Sequence, residues 1–547
     1  MSVGEQLRRL EDAELGQEYS CLNALQRTAW QINKPVLQVL RTVWDGGQQW
    51  GKLPAKDDLP LPKYPFDKDP KELAGAERKE FVIWSRQRTA IYSHNNRTVS
   101  KRIQVERTLQ VAEDYAKHDE FYYVWQNDFR SRKYASCTFL SPQSADWSKS
   151  LLTFSNGVAI NNWDEARWLC IHGANLYGND KITLDQRESW AWDKSDEFVR
   201  IAENPYDNLM WLEADKPYQF LAWCFEFAQL VRQGWGYIST LPVSADGSCN
   251  GLQHLSAILR DERGGRATNL LPAAQPQDIY TEVALEAMAR VMNEDTEMSR
   301  QWKRFGVSRK LTKRPVMIVP YSGTKHSCRA YIQEAMEEQI NDTGDNPFGE
   351  DLFPASVYLA NYVWDAISNV IVAASRVMDY IKSVGDVYAD VNKHMEWVTP
   401  TGWLVLQSYN NTTTKRIKTH INGEIVKLNM LEEQSTVSRR RTGSGSSPNF
   451  IHSLDAAAMT KTINACVNRG ILNFHMVHDS YGTHSSLMPM MSDLIRQEFV
   501  RMYEQHDVLT ELRDHAIQTL GTEDVPLPPA LGDLDIRKVL QSEYFFA

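Results

Sequence analysis

Two aspartates carry the clearest chemical signal in this chain. Asp246 ends an apolar run and opens the signature Asp246-Gly-Ser-Cys-Asn-Gly-Leu-Gln-His; Asp479 ends a second run within Met-Val-His478-Asp479-Ser-Tyr-Gly. Between them lies the basic segment Arg309-Lys-Leu-Thr-Lys313-Arg-Pro-Val-Met-Ile-Val-Pro-Tyr321. Two carboxylates able to share divalent metals, beside a cationic helix, are the parts that phosphoryl transfer from a nucleotide requires. In that chemistry Asp246 and Asp479 hold two Mg²⁺ ions roughly 3.5–4 Å apart; one activates the attacking hydroxyl and the other neutralises the departing pyrophosphate.

Each piece also has a plainer reading. An Asp at a strand end ahead of a Gly is commonly a turn former or a helix cap, and Asp479 fits a hairpin turn with His478 packed beside it. A basic run is more often a solvated helix face than a binding surface. The surroundings favour the chemical reading. Gly247 lets a phosphate and a metal approach the backbone, and Asn250 can cap a helix carrying Leu252, Leu255, Ile258 and Leu259. A helix N-terminus behind a carboxylate suits metal-bound phosphate. On one helix Arg309, Lys313 and Tyr321 fall within about 120° of arc. Arg309 and Lys313 can then grip incoming phosphates, Lys313 can protonate the leaving pyrophosphate, and Tyr321 closes the end near base and sugar. Pro315 and Pro320 each remove an internal bond, so a kink is expected before Tyr321.

The elements that must position these groups follow from periodicity and breakers. Residues 1–45 read as helix, and Leu53 to Pro70 as a Pro- and Lys-rich loop. Residues 71–118 read as two long charged helices forming an arm. Short β-favouring pieces begin near Phe121, a strand reads from Tyr237 to Ala245, and 275–385 is mostly helical. Residues 402–430 are strand-like, with Asn422-Gly423 as a strong hairpin signal. Thr442 to Ser447 reads as a flexible tether, followed by a helix, a hairpin around Asp479 and further helices. The apolar segment from Ala355 to Ala374 is interrupted by Asn361, Asp365 and Asn369 on one helical face, as in a buried helix rather than a membrane span, so no membrane partner is expected.

The 547 residues carry a net charge of -10, which leaves room for a local positive groove. From Gln301 to Arg314 stand Lys303, Arg304, Arg309, Lys310, Lys313 and Arg314, with no acid among them. The seven cysteines are scattered without zinc-ligand spacing. Met-Ser-Val-Gly-Glu-Gln at the start has no secretory pattern, and a reducing cytoplasm is the expected compartment.

In this order and at this scale the three blocks resemble the single-subunit DNA-directed RNA polymerases of bacteriophages and mitochondria, the phage branch in particular. Further likeness lies in Asp128-Phe-Arg-Ser-Arg132, Lys149-Ser-Leu-Leu-Thr-Phe, Ile171-His-Gly-Ala-Asn, Gly264-Gly-Arg-Ala-Thr-Asn-Leu-Leu-Pro, Pro448-Asn-Phe-Ile-His452-Ser and Glu543-Tyr-Phe-Phe-Ala547. The resemblance implies an α+β, mostly helical fold of right-hand polymerase architecture with thumb, palm and fingers. It implies a residual N-terminal helical region at 1–32, a thumb-like arm at 33–118 and the first part of the palm at 119–262. The fingers follow at 263–452, including a specificity-type hairpin at 402–442, with the second palm part and a C-terminal foot at 453–547. By the same likeness Asp246 and Asp479 bind the metals with the Gly247 carbonyl assisting, Lys313 is the general acid, Arg309 contacts phosphate, and Tyr321 and His452 sense the ribose. Arg132 and Lys149 match template- and hybrid-contacting elements, and Arg416 and Lys418 lie on the hairpin that enters promoter DNA. Where the family commonly has Gly, this chain has Ser131 and Ser322.

The reading is thus of a DNA-templated RNA polymerase core that joins ribonucleoside triphosphates into RNA, acting in a host bacterial cytoplasm if phage-encoded. Related DNA polymerases place a Glu five residues after the first Asp, where it obstructs a 2′-hydroxyl; here that place is Gly251. The alternatives are a DNA polymerase or primer-making enzyme of the same fold, and a subunit or fragment inactive alone. The family's usual N-terminal domain is not seen in this sequence: either the chain is a fragment, or a second polypeptide replaces that part, or initiation works differently; double-stranded DNA template and promoter are the other expected partners.

Overall fold

The computed structural model describes every residue except Met1, Ser322, Glu350, Asn422 and Gly423. Ser322 and the Asn422-Gly423 turn therefore lie outside the described residues. The strands flanking that turn, Asn410–Ile421 and Glu424–Val437, pair antiparallel up to Ile421 opposite Glu424.

The fold is α+β and mostly helical, as expected. Among the described residues the strands form one three-stranded and five two-stranded sheets. Apart from the hairpin Asn410–Ile421 and Glu424–Val437 the strands are short, so helices close around them, and one large apolar core runs from Cys21 to Phe546. The three-stranded sheet positions the site. Ser480–Thr483 lies between His475–Val477 and Val243–Asp246. Val243, Ala245, Met476 and Tyr481 are buried, so the strands end at the core's edge with Asp246 and Asp479 at the open end. A two-residue turn, His478-Asp479, joins the hairpin strands, and His478 takes the positive φ of 54° that such turns demand. Helix Asn250–Leu259 follows Asp246 directly and is buried over all ten of its residues.

Several elements differ from the sequence reading, each for a physical reason. The strand expected from Tyr237 to Ala245 is two, Tyr237–Ser239 and Val243–Asp246, because Pro242 between them has no amide to continue a ladder. The first pairs with Val158–Ile160 and only the second joins the carboxylate sheet. The two helices expected over 71–118 are one, Gly75–Tyr115, with no internal Gly or Pro beyond its first residue. The Asn95 side chain does not break it; instead it holds the backbone of Leu59 in the preceding loop at 3.0 and 2.9 Å. Within 1–45, Trp30–Ile32 is a strand paired with Leu152–Phe154, not helix.

The largest difference is at Thr442–Ser447, which is no tether but the start of helix Arg439–Asn468. A Cβ on Gly445 would lie 2.6 Å from the Tyr409 ring, and one on Gly385 of the neighbouring helix 3.4 Å from Thr442. The small residues permit close packing, and burial overrides their low helix propensity. No single helix among the described residues is long and apolar enough to cross a membrane. The apolar stretch at 355–374 is divided between Phe353–Val370 and Val372–Asp390, bent by 89°.

One more helix matters to the site. In Pro217–Gln233 the rings of Phe220, Trp223 and Phe227 stack at 5.3 and 4.8 Å. The Asp146 carboxylate accepts from the Tyr218 and Gln219 amides at 2.8 and 3.1 Å, satisfying two of that helix's free donors.

Candidate active site

A cleft of about 500 Å³ is lined by Lys149, Lys216, Asp246, Arg309, Lys313, Tyr321 and Asp479, among others. Asp246 and Asp479 meet on its floor. Ser480 sits opposite Asp246 in the sheet, and the Gly247 amide donates to the Asp479 carbonyl at 3.0 Å. Both aspartates are exposed to the cleft. The last residues of the chain support the floor: Gly247 bridges to Phe546, the Ala547 amide donates to the Asp246 carbonyl at 3.3 Å, and Phe546 meets Tyr481 edge-on at 5.0 Å. The Gly247 carbonyl, the third expected ligand, accepts from the Cys249 amide at 3.0 Å.

The two carboxyls are electrostatically unlike. Crowding by protein opposes ionisation of Asp246, but Lys216, with its ammonium 3.5 Å away, and a Ser480 hydrogen bond outweigh it and hold Asp246 below the usual carboxylate range. Around Asp479 the balance reverses: crowding by protein, then the charges of Asp455 and Asp246, push it up to about 7. The floor is therefore short of positive charge at neutral pH. Magnesium commonly binds through one or two carboxylates plus substrate phosphates rather than through a protein cage. Among the described residues no group of three or more His, Cys, Asp or Glu is arranged to hold a metal. Asp246 and Asp479 fit the first mode, with surplus negative charge and a shell that phosphate oxygens must complete.

Helix Arg309–Met317 adds cations to the cleft, and they divide between two faces. Lys310 pairs with Glu338 and Asp342 at 3.2 and 3.3 Å and Arg314 with Glu334 at 2.5 Å, all on helix Lys325–Thr343. Arg309 and Lys313 turn to the cleft. Arg309 donates to Asp278 at 2.6 Å and lies over the Tyr280 ring, which fixes it before any ligand arrives. Desolvation of Lys313, then the charge of Arg309, lower its pKa, the direction that improves a proton donor. The expected kink is present: the helix ends at Met317 and Val319–Tyr321 is a separate 3-10 turn. Tyr321 therefore does not share the helical face of Arg309 and Lys313; the turn carries it to His452.

There the Tyr321 and His452 rings stack at 4.7 Å and 26°. A Cβ on Gly251 would lie 3.1 Å from the Tyr321 hydroxyl and 3.2 Å from Pro320, so the glycine leaves the tyrosine its place. Burial, then Arg132 and Arg130, hold the His452 pKa down to about 3. Arg130 contacts its Nδ1 at 2.9 Å; a guanidinium only donates, so Nε2 carries the hydrogen.

Arg132, expected on the template, is engaged inside the protein. It donates to buried Asp455 at 3.1 and 2.6 Å, and Asn250 donates to the other oxygen at 2.8 Å. Asn250 is thus a tie and not the expected cap; the N-cap is Cys249, at φ 62°. Ser131 also has positive φ, 69°, and its hydroxyl donates to Glu18 at 2.9 Å. Lys149 lies in the cleft wall near Asp246. Arg416 and Lys418 sit away from these groups, exposed on strand Asn410–Ile421. Lys418 is directly opposite Lys427, a like-charge pair that is unfavourable without an anion nearby.

Sequence reasoning missed Asp455, Arg130, Lys181 and Lys216. Asp455 had a signal: it is the lone acid in a thirty-residue helix. Lys181 and Lys216 had none, since only folding brings them to the cleft.

A family model described as DNA-dependent RNA polymerase matches residues 162–527. The chain is similar to T7 RNA polymerase of Escherichia phage T7, 32% identical over 99% of this chain and 66% of that protein. It is similar to the DNA-directed RNA polymerase of Enterobacteria phage K11, 33% identical over 99% and 64%. It is also similar to DNA-directed RNA polymerase 1, mitochondrial, of Arabidopsis thaliana, 32% identical over 99% and 55%. The chain thus spans just under two thirds, or less, of these relatives' lengths.

Proposed function

The chain belongs to the DNA-dependent RNA polymerase family, and from that premise we propose that it is a DNA-templated RNA polymerase core extending an RNA 3′ end with ribonucleoside triphosphates. The observation that carries this is the cleft itself: two adjoining aspartates, one of them pushed up to about 7 by crowding of protein around it and then by neighbouring carboxylates, face Arg309 and Lys313 across space for a triphosphate.

Asp246 and Asp479 hold the two magnesium ions, which when bound activate the 3′-hydroxyl and neutralise pyrophosphate. Arg309, kept in place by Asp278, binds the phosphates. Lys313 binds beside it and donates a proton to the leaving pyrophosphate. Tyr321 and His452 hold the sugar, His452 presenting its Nε2 hydrogen. Gly251, by carrying no side chain, leaves room for Tyr321 and for a 2′-hydroxyl. Helix Gly75–Tyr115 is the thumb, the carboxylate sheet the palm, and the helices around Arg309 the fingers. Lys149 flanks the template strand. Arg132 acts on the hybrid through its hold on Asp455 and the wall of the site. Arg416, Lys418 and Lys427 on the long hairpin meet the phosphates of promoter DNA, whose charge relieves their mutual repulsion.

The test is extension of an RNA primer on a DNA template with Mg²⁺, comparing ribonucleotides with deoxynucleotides and wild type with Asp479→Asn. Ribonucleotide-specific extension that the substitution abolishes is the expected result. Preference for deoxynucleotides would favour the DNA polymerase alternative, and undiminished extension by the variant would remove the metal assignment.

A further inference from the structure

Lys216 belongs to none of the motifs that carry the family likeness. It precedes Pro217 at the start of helix Pro217–Gln233 and reaches into the cleft, where its ammonium lies 3.5 Å from Asp246 Oδ2. Its backbone is fixed from both sides. The Lys216 amide donates to the Leu176 carbonyl at 3.0 Å, and its own carbonyl accepts from the Phe220 amide at 2.9 Å. The preceding Asp215 amide donates to Tyr177 at 3.1 Å, and the Asp215 carbonyl accepts from Lys52 at 2.9 Å. Asp146 holds the two amides that follow Pro217. A long, flexible side chain thus swings from a rigid pivot.

The contact it makes is loose. Charge-assisted N–H···O bonds are typically about 2.7–2.9 Å. At 3.5 Å, with the two side chains 47% and 57% exposed, Lys216 and Asp246 attract without a tight bond. Ion pairs elsewhere in the site are shorter and drier: Arg132–Asp455 and Arg309–Asp278 are each 2.6 Å, the first with its partners 14% and 4% exposed. Lys216 also faces charges of its own sign. Lys149 has its pKa lowered by burial and then by Lys216, and Lys181 and Lys313 line the same cleft. An ammonium so placed gains by moving to a ligand with more negative charge than one carboxylate offers.

We propose that Lys216 covers the metal-facing side of Asp246 until a triphosphate arrives and then transfers to the phosphates, so that metal and triphosphate bind cooperatively. This inference rests on the reading of Asp246 as a metal ligand. A divalent ion entering alone must displace the ammonium from the carboxylate. An ion entering with a polyphosphate need not, because phosphate oxygens give Lys216 a new partner in the same cleft. No proton moves; only the partner of the ammonium changes. By linkage the effect is reciprocal: Lys216 makes the triphosphate raise metal affinity and the metal raise triphosphate affinity by the same factor.

Titration of the full chain with Mn²⁺, followed by electron paramagnetic resonance with and without inorganic pyrophosphate, tests this, protein-free titrations correcting for Mn²⁺ held by pyrophosphate in solution. Without pyrophosphate, Lys216→Met is expected to bind Mn²⁺ several-fold tighter than wild type. The factor by which pyrophosphate improves Mn²⁺ binding should fall about tenfold in this variant, within the ordinary range of coupling between sites. Lys216→Arg, which keeps the charge, should retain most of that factor. An enhancement equal in wild type and Lys216→Met would overturn the proposal. Asp246→Asn separates the two readings. If it binds Mn²⁺ as wild type does, the ligand assignment falls and this inference with it. If it loses binding while Lys216→Met leaves the coupling unchanged, this inference alone fails.

Discussion

Asp455 lies buried beside the cleft that Asp246 and Asp479 line, and the fold treats these carboxylates in opposite ways. Asp455 is buried, with both oxygens bonded: Arg132 takes one at 2.6 and 3.1 Å and Asn250 the other at 2.8 Å. Asp246 and Asp479 open to the cleft, and Lys216 stands off from Asp246 at 3.5 Å. Crowding by protein, then Asp455 and Asp246, push Asp479 up to about 7, whereas Asp455 stays below the usual range because Arg132 overcomes its burial. The first arrangement spends its charge on holding the turn after Asp128, helix Asn250–Leu259 and helix Arg439–Asn468 together. The second keeps its charge available. A carboxylate that the protein leaves uncompensated is the one able to recruit a cation from outside.

The largest effect that would break this contrast is on catalysis. Asp479→Asn should lower primer extension by about a thousandfold, since a bound metal contributes several kcal/mol of transition-state stabilisation. The same variant should leave the metal-free protein at least as stable as wild type, by thermal unfolding in a chelator. The sign follows from the raised pKa. A carboxyl raised in the folded state stabilises the fold below its unfolded pKa of about 4 and loses that contribution as pH climbs to about 7. The melting temperature of Asp479→Asn relative to wild type should therefore rise between pH 4 and pH 8.

Arg132→Ala should do the reverse. It strands a buried carboxylate, at a cost of about 3–5 kcal/mol, read as a lower denaturant midpoint. Unchanged stability with weakened binding of an RNA–DNA hybrid would return Arg132 to the direct template role that the family likeness implies. Gly251→Ala is a smaller probe. Its methyl would press on the Tyr321 hydroxyl and Pro320, and selectivity for ribonucleotides over deoxynucleotides should fall by roughly tenfold, the scale of one methyl group in a pocket. The smallest effect lies far from the cleft. Glu396 accepts from Arg9, His515 and Thr519 at 2.9, 3.1 and 3.3 Å, and these bonds outweigh its burial and hold it at about 2. Its contribution is present above the usual pKa of about 4.5 and is lost as pH falls towards 2. Glu396→Gln should lower stability above about pH 4.5 and converge with wild type as pH falls towards 2, which marks Glu396 as a carboxylate of the locked kind.

Much of the site was legible in the chain because its signals are local. Asp246 and Asp479 close apolar runs, the turn at His478-Asp479 needs few residues, and Pro320 announces the break before Tyr321. What misled was equally local. Thr442-Gly-Ser-Gly-Ser-Ser447 has the composition of a linker, yet it is helix: its small residues pack closely, Gly445 against Tyr409 and Thr442 against Gly385 of the neighbouring helix, and burial overrides low helix propensity. Residues 71–118 read as two helices, yet Gly75–Tyr115 is one, and Asn95 within it gives its side-chain amide to the Leu59 backbone. The basic run at Lys303–Arg314 could be read as a solvated face or as a grip on phosphate; it is both, divided by the acids of helix Lys325–Thr343.

By itself the sequence determined which side chains are able to do chemistry and which short elements carry them, because turns, caps and breaks depend on neighbours a few residues away. Only the tertiary structure decided which charges are neutralised and which are left free. Compensation depends on groups more than a hundred residues apart, such as Arg132 with Asp455 or Lys133 with Glu18. Electrostatic energy is set by distance and burial in space, and neither is written in the order of the residues.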